Sequence, residues 1–123
     1  MIRQKSFDKD RRLYEYDILD VSGTVVGMAQ LRLVPSKSAE MPAGFESNVY
    51  YEVKPAYRNH GYATTALRLV KKEAKKHGLT QLSLTADEDN IASRKVIEKD
   101  GGRQIDIGKT SSEKVVIKYL ITL

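Results

Sequence analysis

The sequence predicts a single α/β domain, more strictly α+β, over residues 1–123: a mixed, mostly antiparallel sheet of about six strands carrying two main helices. Three observations predict it. Runs of period-two alternation fill both ends of the chain, two apolar stripes of helical period each close on glycine, and one strand–helix–strand succession runs from Val49 to Ala86. That succession calls for two parallel strands joined by a right-handed crossover, whereas the short turns elsewhere call for antiparallel pairs.

The elements follow in order. The first dozen residues, MIRQKSFDKDRR, are charged and without period, and are expected to form a frayed arm. From Leu13, "LYEYDILDVSGTVVGMAQLRLV" reads as two strands joined at Ser22-Gly23, with Tyr14, Tyr16 and Ile18 inward on the first and Val26, Met28, Leu31 and Leu33 inward on the second. Gly27 within the second marks a bulge or a close approach. Pro35 to Ser47 gathers two prolines, a glycine and three serines, and reads as a long functional surface loop. "NVYYEVKP" is a strand stopped by Pro55. After Gly61, the residues Ala63, Ala66, Leu67, Val70 and Ala74 form the stripe of a helix that ends at Gly78. "LTQLSLTA" is a strand, and Ile91 to Asp100 a second helix with Ala92, Val96 and Ile97 inward, ended by Gly101-Gly102. "GRQIDIG" and "EKVVIKYLITL" are two final strands.

Composition narrows the function. Hydrophobic residues make up 41% of the 123, enough for one core. No run of about 18 apolar residues is present and the amino terminus has no apolar signal stretch, so a cytoplasmic address away from membranes is expected. With no cysteine, and with only His60 and His77 far apart in sequence, no metal site is expected. The net charge of +5 fits either a polyanionic partner or a phosphorylated cofactor. Lys71, Lys72, Lys75, Lys76 and His77 fall in the last turns of the first helix, where cations complement the helix dipole and face water. Aromatic and basic residues do not interleave along the chain, so no nucleic-acid partner is expected.

The stretch "YRNHGYATT" joins a strand to a helix start through a glycine. Such a junction turns several free N–H groups outward with the positive end of the helix dipole behind them, which is an anion site. It lacks the Lys-Ser/Thr of a nucleotide P-loop and the second glycine pair of a dinucleotide fingerprint. The N–H groups of His60 through Ala63 can donate several charge-assisted bonds to a pyrophosphate, Gly61 leaves room for it, and Arg58 adds a charge at the rim. A plain turn glycine before a helix is the alternative reading of Gly61, and Asn90 is a preferred N-cap in its own right.

Two linked segments, "YYEVKPAYRNHGYATTAL" and "DEDNIASRKVIEKDGG", resemble motifs of the GNAT superfamily of acetyl-CoA-dependent N-acetyltransferases, the second being close to bacterial members. The resemblance implies a V-shaped sheet split at the parallel pair, with acetyl-CoA as co-substrate and an amine as acceptor. It implies cofactor contacts from Val53, Arg58, Asn59, His60, Gly61, Tyr62, Ala63, Thr64, Asn90 and Ser93, with the Val53 backbone pairing the pantetheine arm like an added strand. The family usually places a proton-donating tyrosine on the second helix; the matching position holds Ile97, so either the thiolate leaves without a dedicated acid or a tyrosine from elsewhere, Tyr51, Tyr62 or Tyr119, serves it. Glu52 and Glu46, beside or within the strand that would present the thioester, are the candidate bases. Family members commonly carry one or two helices between their first two strands. Here those helices are reduced or absent and the chain is expected to begin at the second strand, leaving the acceptor groove open, closed by the 35–47 loop, or closed by a second subunit as a homodimer. A CoA-binding module without efficient chemistry is the alternative, favoured by Ile97 and the missing helices.

Overall fold

The structure, a computed structural model, describes residues 1–123. Its elements are β1 (Ile2–Asp8), β2 (Leu13–Leu19), β3 (Val25–Ser36), β4 (Ser47–Val53), a 3₁₀ turn (Pro55–Tyr57), α1 (Tyr62–Lys76), β5 (Gln81–Asp87), α2 (Ile91–Lys99), β6 (Arg103–Lys109) and β7 (Val115–Thr122). They build one four-stranded sheet, β1-β2-β3-β4, and one three-stranded sheet, β5-β7-β6, in which every ladder is antiparallel. No helix is long and apolar enough to cross a membrane.

The amino-terminal arm expected from sequence is instead an ordered strand, which raises the count to seven. β1 pairs with β2 from Ile2↔Ile18 to Asp8↔Leu13. Its sequence hides this because it is an edge strand whose residues are exposed on both faces apart from the half-buried Ile2. Ladder bonds, a Phe7–Tyr14 ring contact at 4.4 Å and the Arg3–Asp17 ion pair at 3.0 Å hold it, none of which needs apolar alternation. The chain therefore does not begin at the second strand. The turn after β1 takes the place of helices: the Asp8 carboxylate accepts from the N–H groups of Asp10 and Arg11 at 3.0 and 3.1 Å and closes it tightly.

β3 corrects a second expectation. The register shifts opposite Ile18 and Leu19, so Val26, Ala29 and Leu31 are buried, while Met28 is only half-buried and pairs with Glu52 and Asp17. Gly27 is the cause, since any Cβ there would overlap the Glu52 carbonyl oxygen. On α2, Ile97 is fully buried as expected, but Ala92 is exposed.

α1 covers the junction of the two sheets. Its buried stripe of Ala66, Leu67, Val70 and Ala74 joins Ile18, Val26 and Leu31 of the first sheet to Leu82, Leu84, Ile117, Tyr119 and Ile121 of the second in one core. Each fully buried Leu, Ile or Val contributes about 1.5–3 kcal/mol relative to exposure.

β4 and β5 lie side by side without a ladder between them, so the parallel pair demanded by the strand–helix–strand unit is where the sheet breaks. A side chain holds them at one end. The buried Asn48 donates through Nδ2 to the Arg32 carbonyl at 2.9 Å and accepts through Oδ1 from the Ser83 N–H at 2.9 Å, while the Ser83 hydroxyl donates to the Glu46 carbonyl at 2.7 Å. From this clamp the two strands run in the same direction and diverge. Both outer sheet edges are blunted by irregularities, between Gln4 and Ser6 on β1 and between Gln104 and Asp106 on β6, where the Asp106 carboxylate also accepts the Ile107 N–H at 2.8 Å.

Asp100 caps the end of α2 and is buried with its Oδ2 unpartnered. Burial raises its pKa above the usual 3.8, against the opposing pull of Lys71, Arg68 and Lys99. A raised carboxyl pKa means that the fold holds the proton more tightly than the unfolded chain. Stability is then greatest below the unfolded value and declines as pH rises toward the folded one. Asp100→Asn is expected to stabilise the protein by about 1 kcal/mol at neutral pH, with the gain vanishing below the ordinary aspartate range, as read from urea midpoints across pH. Asn48→Ala, which strands the Ser83 N–H and the Arg32 carbonyl, is expected to lower stability by about 2–3 kcal/mol in the same assay.

Candidate active site

The β4–α1 junction is shaped by its backbone. Lys54 is extended before Pro55, the 3₁₀ turn follows, and Asn59 and Gly61 take left-handed conformations at φ 66° and 79°. These reversals leave the N–H groups from Asn59 to Thr64 without a protein acceptor, and the first helical bond is Thr65 N–H to the Gly61 carbonyl at 3.1 Å. A row of free donors thus stands at the amino end of α1, where the helix dipole adds positive potential. Gly61 serves the conformation as much as the space, because its positive φ is one that other residues adopt only with strain, and nothing lies within 4 Å of where its Cβ would stand.

This junction opens onto the cleft between the diverging strands, a cavity of about 1020 Å³ walled by β4, β5 and the starts of both helices. Ladder alternation decides which backbone groups face it. Lys54 N–H bonds the Val26 carbonyl, so Glu52 and Tyr50 pair with β3 while the peptide groups of Tyr51 and Val53 turn to the cleft. Glu88 N–H bonds the Val115 carbonyl, so those of Thr85 and Asp87 turn to it from the other side. The cleft is therefore bounded by two open strand edges.

Most of the residues expected from sequence meet there: Val53, Arg58, Asn59, Gly61, Tyr62, Ala63, Thr64, Asn90 and Ser93 all line the cavity, as does Glu52. His60 does not; its side chain is exposed, with its ring 5.9 Å from that of Tyr62. Glu46 does not either. It lies at the clamped end of β4, in a separate cavity with Asn48, Ser83 and Lys118, because the strand runs from that cavity toward the cleft. Arg58 donates through Nε to the Val53 carbonyl at 3.2 Å, so one charge and one strand-edge acceptor currently satisfy each other. Asn90 caps α2, its Oδ1 accepting from the Ser93 N–H at 3.1 Å.

The tyrosines separate sharply. Tyr119 is fully buried, donates to Glu98 Oε2 at 2.7 Å and accepts from Arg94 Nε at 3.0 Å, and it does not line the cleft. Tyr51 does line it, and its hydroxyl lies 2.9 Å from Ser93 Oγ, bridging β4 to α2. Burial raises the Tyr51 pKa, partly offset by the hydrogen bond to Ser93, so the hydroxyl stays protonated through the ordinary tyrosine range. Sequence spacing does not join Tyr51 to Ser93, although the alternation that puts Tyr51 on the face of Val49 and Val53 is visible in it. Glu52 sits on the other face, exposed, accepting from the Tyr50 hydroxyl at 3.2 Å.

Sequence reading also missed Met41 and Lys95, which line the cleft. Met41 belongs to the loop after β3. That loop packs across the second sheet through Phe45, which is buried beside Gly108, through Lys118 Nζ donating to the Gly44 carbonyl, and through Ser111 N–H donating to the Glu40 carbonyl at 2.9 Å. The residues present fit a cofactor with a pyrophosphate and an amide-bearing arm: free N–H donors and a cation for the former, open strand edges for the latter.

Comparison with known proteins agrees with this arrangement. The model of the acetyltransferase (GNAT) family matches residues 2–102. No curated protein matches. Among solved structures, Mycobacterium smegmatis RimJ in complex with CoA-disulfide superposes with a TM-score of 0.72 at 20% identity, covering 89% of this chain and 53% of that one. A spermidine N-acetyltransferase SpeG chimera from Vibrio cholerae and hSSAT gives 0.73 at 14% identity, covering 93% and 70%. A ribosomal-protein-alanine N-acetyltransferase from Brucella melitensis gives 0.70 at 18% identity, covering 90% and 69%. The chain spans about half of the RimJ chain and about two thirds of several other matched chains. With the family model matched over most of its length and the fold of these acetyltransferases around its cleft, the chain belongs to the acetyltransferase (GNAT) family.

Proposed function

We propose that residues 1–123 work as one acetyltransferase domain that moves an acetyl group from acetyl-CoA to a primary amine by direct attack. The observation that carries this reading is the row of unpaired N–H groups from Asn59 to Thr64 at the start of α1, opening straight onto the free edges of β4 and β5. When bound, acetyl-CoA supplies an activated thioester. The chain's own groups then divide the remaining work. The Asn59–Thr64 donors, with Arg58 swung from the Val53 carbonyl, hold the pyrophosphate, and the freed Val53 carbonyl and N–H hold the pantetheine arm. Tyr51, kept protonated by burial and hydrogen-bonded to Ser93, delivers a proton to the departing thiolate in the role that Ile97 cannot fill. Glu52, on the opposite face of β4, takes the proton of the incoming amine through water.

The acceptor is a small amine or a protein amino group. Support comes from the solved relatives, whose names include spermidine and ribosomal-protein acetyltransferases, and from the uncovered face of β3 and β4 that carries Met28, Gln30, Tyr50 and Glu52. A module that binds CoA without turnover is the second reading, favoured by Ile97. Isothermal titration with acetyl-CoA beside a thiol-release assay over a panel of amines separates the two. Binding with release above background for at least one amine supports the enzyme, and binding with no release for any amine supports the module.

Gly61→Glu places a side chain and a negative charge among the free N–H groups, and is expected to weaken CoA binding about 100-fold, a loss of about 2.7 kcal/mol, with the fold retained. Gly61→Ala carries the same backbone strain without the charge and is expected to stay within about tenfold of wild type, so the pair separates anion exclusion from conformational damage. Unchanged affinity in Gly61→Glu would move the cofactor elsewhere.

On the active protein, Tyr51→Phe is expected to lower kcat about 100-fold. An acid with a raised pKa is lost only above the ordinary tyrosine range, so the wild-type rate stays level on the alkaline side up to that range. Glu52→Gln is expected to remove the acidic limb of the pH–rate profile and leave the alkaline side as it is. An unaltered acidic limb would exclude Glu52 as the base.

A further inference from the structure

The cleft between β4 and β5 closes toward the Asn48 clamp, and the side chains that line it there fall into two layers. Asn48 Oδ1 receives the Ser83 N–H, so one residue further along these parallel strands Val49 stands beside Leu84, and three residues further Tyr51 stands beside Ala86. The second helix repeats the order. Its Ser93 Oγ lies 2.9 Å from the Tyr51 hydroxyl, and Ile97, one turn on, belongs to the turn whose Arg94 and Glu98 side chains both bond the Tyr119 hydroxyl, at 3.0 and 2.7 Å. Tyr119 is in turn the register partner of Leu84. Val49, Leu84 and Ile97 thus form an inner layer and Tyr51, Ala86 and Ser93 an outer one, and all six line the cavity.

The layers differ in chemistry. Val49, Leu84 and Ile97 have no polar side-chain atom and are 6%, 1% and 1% exposed, so the inner layer closes the cleft as an apolar floor. Both hydroxyls belong to the outer layer. Nor can the floor retreat. Gly102 packs so closely behind Ile97 that a Cβ there would overlap the Ile97 side chain, and the Gly102 N–H bonds the Ile97 carbonyl at 2.8 Å. With Tyr119 holding the same turn of α2 from the sheet side, a surplus methylene on this floor meets close packing in every direction.

We propose that this floor is the acyl pocket of the donor site and that Ile97 sets the acyl length the protein accepts, an acetyl group with one further carbon tolerated. The inference rests on the acetyl-CoA reading above, with Tyr51 beside the departing sulfur. Ser93 and Ile97 are four residues apart, which is about 6 Å along a helix. Apolar carbons keep about 3.5–4 Å from one another, so a sulfur in the outer layer has about 2–3 Å of free depth beneath it, the reach of an acetyl methyl. A longer chain must displace Ile97 or turn back out of the pocket. In apolar pockets each misfitting methylene costs about tenfold or more.

Isothermal titration of the full chain with CoA, acetyl-CoA, propionyl-CoA and butyryl-CoA, with no amine present, tests this by affinity alone. Wild type is expected to bind acetyl-CoA at least as tightly as CoA and butyryl-CoA at least tenfold more weakly than acetyl-CoA. Ile97→Ala removes three carbons from the floor and is expected to bind butyryl-CoA at least as tightly as acetyl-CoA, with CoA itself held within about threefold of wild type. Ile97→Val, a milder truncation, is expected to bring propionyl-CoA level with acetyl-CoA, and it decides the matter where Ile97→Ala fails to fold. Leu67→Ala truncates a fully buried residue of α1 that does not line the cleft, and is expected to keep the wild-type order of chain lengths. Equal binding of acetyl-CoA and butyryl-CoA by wild type overturns the proposal, as does an unchanged order in a folded Ile97 variant or an equal shift in Leu67→Ala. In each of these cases CoA still binds and the acetyl-CoA reading stands. Absence of any CoA binding by wild type would overturn both.

Discussion

The Asn48 side chain sets the condition on which the rest of the structure depends. Two parallel strands brought side by side by a crossover helix would ordinarily zip along their whole length, and zipped strands leave no room for a ligand between them. Here the Ser83 N–H that β5 offers to β4 is taken by a side-chain amide instead of a strand carbonyl, and the same amide reaches back to β3. The strands are held at one end at the distance of a side chain, their natural twist carries them apart, and the peptide groups of Tyr51, Val53, Thr85 and Asp87 are left facing a gap. A buried amide is tolerable at such a place only when its donor and acceptor are both used, as they are here.

The site inherits its chemistry from where this gap falls. Both strands end at the open side, so both following helices start there, and their unpaired N–H groups and dipoles converge on one cavity. Within it the distribution of hydroxyls follows from packing. Ile97 is fully buried and lines the cleft with an apolar side chain, so this position of the helix brings no hydroxyl to it. The hydroxyl comes instead from across the gap, where Tyr51 meets Ser93. Beyond the cleft a tight turn joins β1 to β2, and the loop after β3 lies on the second sheet with Met41 lining the cleft.

Local chemistry was legible in the residues. The strand and helix order, the glycine stops, the glycine-bearing junction from Arg58 to Thr64 with its free N–H groups, the Asn90 cap and the bulge at Gly27 all follow from interactions that span a few residues, and sequence displays those directly. The elements that escaped lack such a signature. β1 is exposed on both faces and is ordered by pairing with a strand that has its own pattern. Met28 and Ala29 exchange faces at a bulge where Gly27 lets the Glu52 carbonyl, more than twenty residues away in sequence, come close. Glu46 and Glu52 look equivalent as acids near one strand, yet they lie at opposite ends of it, one at the clamp and one at the cleft.

What the sequence by itself determined is a junction able to hold an anion: a glycine that permits φ 79° before a helix, a cation next to it, and a second helix opened by asparagine, in a chain of the GNAT family. Tertiary structure alone decided that the Tyr51 hydroxyl meets Ser93 across the cleft, that Glu52 and not Glu46 lines it, and that Phe7, Tyr14 and His77 share a surface. The physical reason is range. Backbone conformation and capping are settled between neighbours in sequence, whereas the meeting of side chains from β1, β2 and the far end of α1 is settled by how strands pair and helices pack, which no local pattern records.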